Sequence, residues 1–257
     1  MPQIEINGRH LEYRTIPGDP ERPWLVFLHE GLGSLSLWRD FPDKVARRLT
    51  CRALIYSRLG YGLSDGLDEP RRPTFMHDEA NDVLPKLCAA LDIESPVLIG
   101  HSDGASIALI RAATSRAAIP ALVLMAPHVF VEPISVSSIA RIAETYETTD
   151  LRQRLSRHHT NVDDAFLGWS RIWLSPAFRS WSLASETQRL ECPTLLIQGT
   201  DDEYGTISQI DAIEQVAIGP VQRVILSQCG HSPHREQEAA VLDAISGFFE
   251  RHLPTRT

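Results

Sequence analysis

The chain has 257 residues, 43 % of them hydrophobic and 23 % charged, and a formal net charge of -8. That suits one soluble α/β-sized domain, and the acidic balance argues against nucleic acid or an anionic membrane as partner, since both require a basic face. No apolar run approaches the roughly 18 residues that span a bilayer. Residues 1–9 are polar and carry no signal-peptide stretch, so the expected location is the cytoplasm.

Residues 3–15 alternate around Asn7-Gly8, a strong hairpin signal, and predict two antiparallel strands. Residues 24–28 and 52–56 are short apolar runs, as expected of strands buried on both faces, and a helical pattern at 35–49 lies between them. Ala80, Val83, Leu84, Leu87 and Leu91 place a helix over 78–91. A strand at 96–99, a helix at 105–113 and a strand at 121–125 continue the alternation. Further on, 194–198 and 222–226 read as strands, and 207–217 and 236–251 as helices. Strands alternating with helices imply an α/β fold with a mostly parallel, doubly covered sheet and an antiparallel edge.

From about 130 to 189 the rhythm breaks into helical patterns with no convincing strand. Ile139, Ile142 and Tyr146 form one amphipathic face; Phe166, Trp169 and Trp173 form another. An all-helical insertion between two parallel strands would cover the carboxyl edge of the sheet, where ligands bind in open α/β folds. The expected organisation is a core of 1–130 and 190–257 with a helical cap at 131–189. The stripe of Phe166, Trp169 and Trp173 either lines the pocket or packs the cap onto the core. Cys51, Cys88, Cys192 and Cys229 have no metal-ligand spacing and read as isolated buried thiols.

Gly100-His101-Ser102-Asp103-Gly104 is a G-x-S-x-G motif between an apolar strand and a small-residue helix start. This is the context in which a serine is held on a tight turn with its hydroxyl at the helix N-terminus. The alternative is a serine that merely caps a helix. A serine hydroxyl needs a general base, and His231 and His234 both sit on the loop before the last helix. Asp201 and Asp202 follow the strand at 194–198, and Glu132 follows the preceding one. The backbone N–H of Asp103 is a candidate oxyanion donor, worth about 3 kcal/mol to such a reaction. His128 follows the strand at 121–125 and should face the same cleft, as a substrate contact or a structural histidine.

These motifs, together with His29-Glu30-Gly31 and Gly60-Tyr61-Gly62, make the chain resemble the α/β hydrolases over essentially its whole length. The resemblance implies Ser102 as nucleophile and His231, after Gly230, as base. It implies Asp202, three residues after Gly199, as acid, with Gly31 as second oxyanion donor and no cofactor or metal. Glu30 stands where these proteins usually have glycine, as a substrate anchor or a loop residue paired with Arg58. His29-Glu30-Gly31-Leu32-Gly33-Ser34 and the serine motif further resemble the serine-dependent macrolide esterases. The implied function is hydrolysis of a small-molecule ester or lactone, with a macrolactone preferred. The alternatives are a carbon–carbon bond hydrolase and a non-catalytic ligand receptor. Oligomeric state is not legible.

Overall fold

The computed structural model describes residues 1–115 and 118–253; the last four residues assigned to the core by sequence, 254–257, lie outside the described residues. The apolar runs become strands of one eight-stranded sheet: β1 (Gln3–Ile6), β2 (Arg9–Ile16), β3 (Leu25–Leu28), β4 (Ala53–Tyr56), β5 (Val97–His101), β6 (Leu122–Met125), β7 (Thr194–Gly199) and β8 (Val221–Leu226). Their order is β1-β2-β4-β3-β5-β6-β7-β8. Asn7 and Gly8 both take positive φ, as a two-residue hairpin requires, and pair β1 with β2 antiparallel. β2 runs antiparallel to β4; every later pairing is parallel.

The helices are α1 (Phe41–Leu49), α2 (Phe75–Asp78), α3 (Leu84–Ala90), α4 (Asp103–Thr114), α5 (Pro133–Thr148), α6 (Leu151–Leu155), α7 (Val162–Leu174), α8 (Ala184–Thr187), α9 (Ser208–Glu214), α10 (Pro233–Glu236) and α11 (Glu238–His252). Strand alternation sorts the core into two layers. Leu25, Phe27, Ile99 and Val123 face Phe41 and Val45 of α1 and Ile245 and Phe248 of α11. Val26, Leu98 and Leu124 face the opposite layer, with Leu84 and Leu87 of α3 and Leu109 of α4. No helix among the described residues is long and apolar enough to cross a membrane.

Several helix boundaries differ from the sequence reading. The helix expected at 35–49 starts at Phe41, because Arg39 at φ 53° ends a separate turn at Ser36–Trp38. The helix expected at 78–91 starts at Phe75 and widens into a π turn at Glu79–Val83. Pro85 lies just beyond and has no N–H to donate backwards, which favours such a local irregularity. At Gln237, φ -135° divides the last helix into α10 and α11.

Between β6 and β7 stand α5 to α8, and the described residues there make only a single strand-like bridge, Phe130 to Ser182. Tyr146 of α5 stacks on Phe166 of α7 at 3.8 Å, and Trp173, Phe178 and Trp181 pack ring to ring. Aromatic burial of this size drives most of the packing of such a segment. α5 is also tied to the loop after β7: Ser138 Oγ donates to the carbonyl of Glu203 at 2.6 Å.

β3 pairs with β4 on one side and with β5 on the other, so the chain reverses its direction of winding there. The loops leaving β3 and β5 therefore diverge at a crevice on the carboxyl edge. Their separation is set by glycine. A Cβ on Gly104 would lie 2.0 Å from the carbonyl oxygen of Leu28, and one on Gly100 would lie 2.4 Å from that of Gly104. Both obstacles are backbone and cannot rotate away. Gly104→Ala is expected to cost about 3 kcal/mol by overpacking, which lowers the melting temperature by about 6–12 °C in a chain of this size; calorimetry checks this.

Candidate active site

Ser102 lies between β5 and α4 at φ 54°, ψ -120°, a region costly for any residue with a Cβ. The surroundings hold it there: its N–H donates to the Met125 carbonyl at 2.9 Å, and Gly100 and Gly104 leave room for the turn. Its own carbonyl accepts from the N–H groups of Ala105 and Ser106 at 2.9 and 3.1 Å. That fixes the Ser102–Asp103 peptide plane. In a trans peptide N–H and C=O point oppositely, so the Asp103 N–H is aimed back out of the helix N-terminus.

The same logic acts on the loop after β3. The Glu30 carbonyl accepts from His29 Nδ1 (2.7 Å), Arg58 Nη2 (2.9 Å) and the Gly33 N–H (3.0 Å). With the carbonyl held inward, the Gly31 N–H must point the other way. His29 Nε2 accepts from the Arg58 N–H at 3.1 Å, which assigns its tautomer; burial, with the Arg58 charge adding to it, holds this imidazole well below its ordinary pKa and therefore neutral.

His231 brings the ends of β5, β7 and β8 together. Its Nε2 is 2.9 Å from Ser102 Oγ, and its Nδ1 is 2.9 Å from both carboxylate oxygens of Asp202. Asp202 Oδ1 also accepts from the N–H groups of Tyr204 and Gly205, and Oδ2 from Gln198 Nε2 at 2.8 Å. Burial disfavours the Asp202 charge, but His231 and these donors outweigh it and hold the carboxyl down to about 2. Burial also opposes a charged His231, yet the Asp202 carboxylate prevails and raises the imidazole above its ordinary value.

The other candidates are placed elsewhere. Asp201 is exposed and accepts from Thr200 Oγ1; Glu132 accepts from Thr206 and Gln209, pinning the start of α9. His234 is buried against Trp38 and Phe41, with ring centroids 4.9 and 5.3 Å away, a core histidine pushed well below its ordinary pKa by burial. The Glu30 carboxylate does not pair with Arg58, the loop partner that the sequence offers. Arg58 holds the main-chain oxygens of residues 29 and 30, while the carboxylate accepts from Arg235 Nη2 at 3.1 Å.

A cavity of about 230 Å³ opens over Ser102, bordered by Glu30, Gly31, Asp103, His128, Trp169, Trp173 and His231 among others. Larger clefts lie elsewhere, along α7 near Arg71 and beside α3, away from any serine–histidine pair. Trp169 lies so close to Gly31 that a Cβ there would come within 2.1 Å of the indole nitrogen. Trp173 donates its indole N–H to Asp103 Oδ1 at 3.2 Å and meets the His128 ring at 5.0 Å. Burial depresses His128 to about 3, so it is a neutral imidazole 5.5 Å from the His231 ring. Sequence reasoning does not single out Arg235, Tyr204, His101 or Ile139 as neighbours of the cavity. Arg235 and His101 are readable only as motif neighbours, and Ile139 only as one face of a helix.

Residues 25–244 match the Alpha/beta hydrolase family. The chain belongs to it. This hydrolase is 25 % identical over 261 residues to the 2-succinyl-6-hydroxy-2,4-cyclohexadiene-1-carboxylate synthase of an Enterobacter strain, covering 92 % of this chain and 95 % of that protein. It is 27 % identical to the mouse sn-1-specific diacylglycerol lipase ABHD11, covering 93 % and 84 % of the two chains. Among solved structures it is similar in fold to MGS-M2, a hydrolase from a Medee basin deep-sea metagenome library, with a TM-score of 0.77, 19 % identity and coverage of 96 % and 97 %. A second likeness in fold is the enol-lactonase of Burkholderia xenovorans LB400, with a TM-score of 0.75, 23 % identity and coverage of 96 % and 99 %.

Proposed function

We propose that this hydrolase cleaves carboxylic esters or lactones through an acyl-enzyme on Ser102, with His231 as base and acid and Asp202 orienting it. The observation that carries the reading is the continuous contact Ser102 Oγ–His231 Nε2, His231 Nδ1–Asp202. Nδ1–H donates to the carboxylate, which leaves the Nε2 lone pair facing the hydroxyl. Ser102 Oγ attacks the carbonyl carbon as His231 takes its proton. The oxyanion is met by the N–H groups of Gly31 and Asp103, whose directions are fixed before substrate arrives. His231 then protonates the leaving alkoxide, and water releases the acid by the same route in reverse.

The cavity argues for a compact acyl group. At about 230 Å³ it falls below the roughly 300–1,000 Å³ of drug-sized sites. A macrolactone, favoured by the loop and serine-motif likeness, is the second reading and requires α5 and α7 to move off the core. Turnover of p-nitrophenyl esters of increasing acyl length tests this directly: acetate and butyrate are expected to be cleaved, with kcat/KM falling once the chain outgrows the cavity. In parallel, a macrolide panel followed by mass spectrometry reads the gain of one water. Cleavage of macrolides in preference to short esters would reverse the ranking, and failure on every ester and lactone would remove the reading.

A further inference from the structure

The reaction leaves two side chains at the site unused, the half-buried Glu30 and the buried His101. His101 ends β5, one residue before the nucleophile, with its side chain 1 % exposed. Its Nε2 is 2.6 Å from the main-chain carbonyl of His231. An oxygen acceptor needs a proton on Nε2, so the other ring nitrogen faces Glu30, with Nδ1 3.5 Å from Oε2. At that distance the two groups meet as an ion pair when the His101 ring is protonated. The other carboxylate oxygen takes Arg235 Nη2, which also donates to the Leu37 carbonyl at 2.9 Å. Room for this arrangement is built into the loop, because a Cβ on Gly33 would lie 2.4 Å from Glu30 Oε2. The glutamate, the glycine three residues on and the histidine before the serine thus form one unit.

We propose that Glu30 and His101 are a positioning pair that couples the oxyanion loop to the main chain of His231 and sets the field in which that imidazole works. The inference rests on the Ser102–His231–Asp202 reading above. Glu30 is the residue immediately before Gly31, so anchoring its side chain as well as its carbonyl immobilises the peptide whose N–H meets the oxyanion. His101 carries the anchor across to residue 231. Around the His231 ring stand Asp202, Glu203 and Tyr204 from the loop after β7, His128 from the loop after β6, His101 from β5 and Glu30 from the loop after β3, with His234 and Arg235 on its own segment. Burial disfavours the Glu30 charge, but His101 and Arg235 outweigh it and hold the carboxyl well below its ordinary value. The Glu30 carboxylate in turn favours the imidazolium of His231.

The test is the second-order rate at which a fluorophosphonate labels Ser102, measured across pH in wild type, Glu30→Gln and Glu30→Ala, with unfolding temperatures recorded alongside. The glutamine variant keeps the shape, and its amide can donate to His101 Nδ1. Without the negative charge His231 protonates less readily, so the acid limb is expected to move to lower pH. Glu30→Ala removes the anchor as well, and the plateau rate is expected to fall by about tenfold to a hundredfold, as for a misplacement of the order of 1 Å. A salt bridge that merely steadies the fold would lower the unfolding temperature without moving the acid limb. Wild-type acid limbs and plateau rates in both variants would overturn the pairing. Wild-type protein that resists the reagent would overturn the nucleophile reading, and the pairing with it.

Discussion

Ser102→Ala is expected to lower kcat toward p-nitrophenyl acetate by about a millionfold, the scale seen when the nucleophile of a comparable triad is removed. No cysteine among the described residues borders the cavity to take its place. The cysteines are free, and Cys51, Cys88 and Cys229 are buried, with burial pushing Cys88 and Cys229 up to about 11. The change deletes one oxygen from a turn held by the Met125 carbonyl and by the glycines at 100 and 104, so the unfolding temperature should stay near that of wild type. Substrate should still bind, and quenching of Trp169 and Trp173, which border the cavity, provides the readout. An alanine variant that binds ester without turning it over places the loss in the chemical step. An alanine variant that retains most of the rate would mean that another group attacks.

Asp202→Asn is expected to cost about four orders of magnitude in kcat through the tautomer of His231. The aspartate accepts from four groups: two backbone N–H, the Gln198 amide and His231 Nδ1. An asparagine has one oxygen. Keeping it against Tyr204 and Gly205 turns its NH2 toward Gln198 and His231. Gln198 cannot flip to relieve this without aiming its own oxygen at the Gly205 carbonyl, to which it now donates at 2.9 Å. The imidazole is then forced to accept at Nδ1 and to carry its proton on Nε2, facing a hydroxyl it should deprotonate. The acid limb should also move to lower pH, since the carboxylate that favours the imidazolium is gone. Steady-state kinetics across pH check both effects; a loss of only a few-fold would show that Asp202 serves the fold and not the base.

The frame of the molecule is readable from sequence because its parts are local. Runs such as 24–28 and 121–125 have no polar residue to place on a solvent face, which leaves a doubly covered sheet as the outcome. Ser102 announces itself through Gly100 and Gly104, and the steric reason is the Leu28 carbonyl, 2.0 Å from where a methyl group at 104 would stand. The distinctions between His231 and His234 and between Asp202 and Asp201 are of another kind. Each pair sits within four residues, so spacing in the chain alone leaves both members open; the family resemblance selects one, and the assembled packing turns His234 into the Trp38–Phe41 layer and leaves Asp201 in water. Helix ends escape the sequence pattern where a single backbone angle decides them, at Arg39 and Gln237. The partner of Glu30 escapes it because it lies 205 positions away, on Arg235.

If Gly31 donates to the oxyanion as proposed, the seat of Trp169 on it ties the evolution of substrate range to the integrity of that loop. An indole wedged where the twenty-fold choice of side chains narrows to one makes the overlying helices poor modules for exchange. Grafting α7 onto a relative with any larger residue at this position would tilt the donor peptide away from the reacting carbonyl. Enlarging the pocket by trimming Trp169 would instead remove the strut against which that peptide rests, so a broader appetite and a slower chemical step should arrive together unless the loop is redesigned with it.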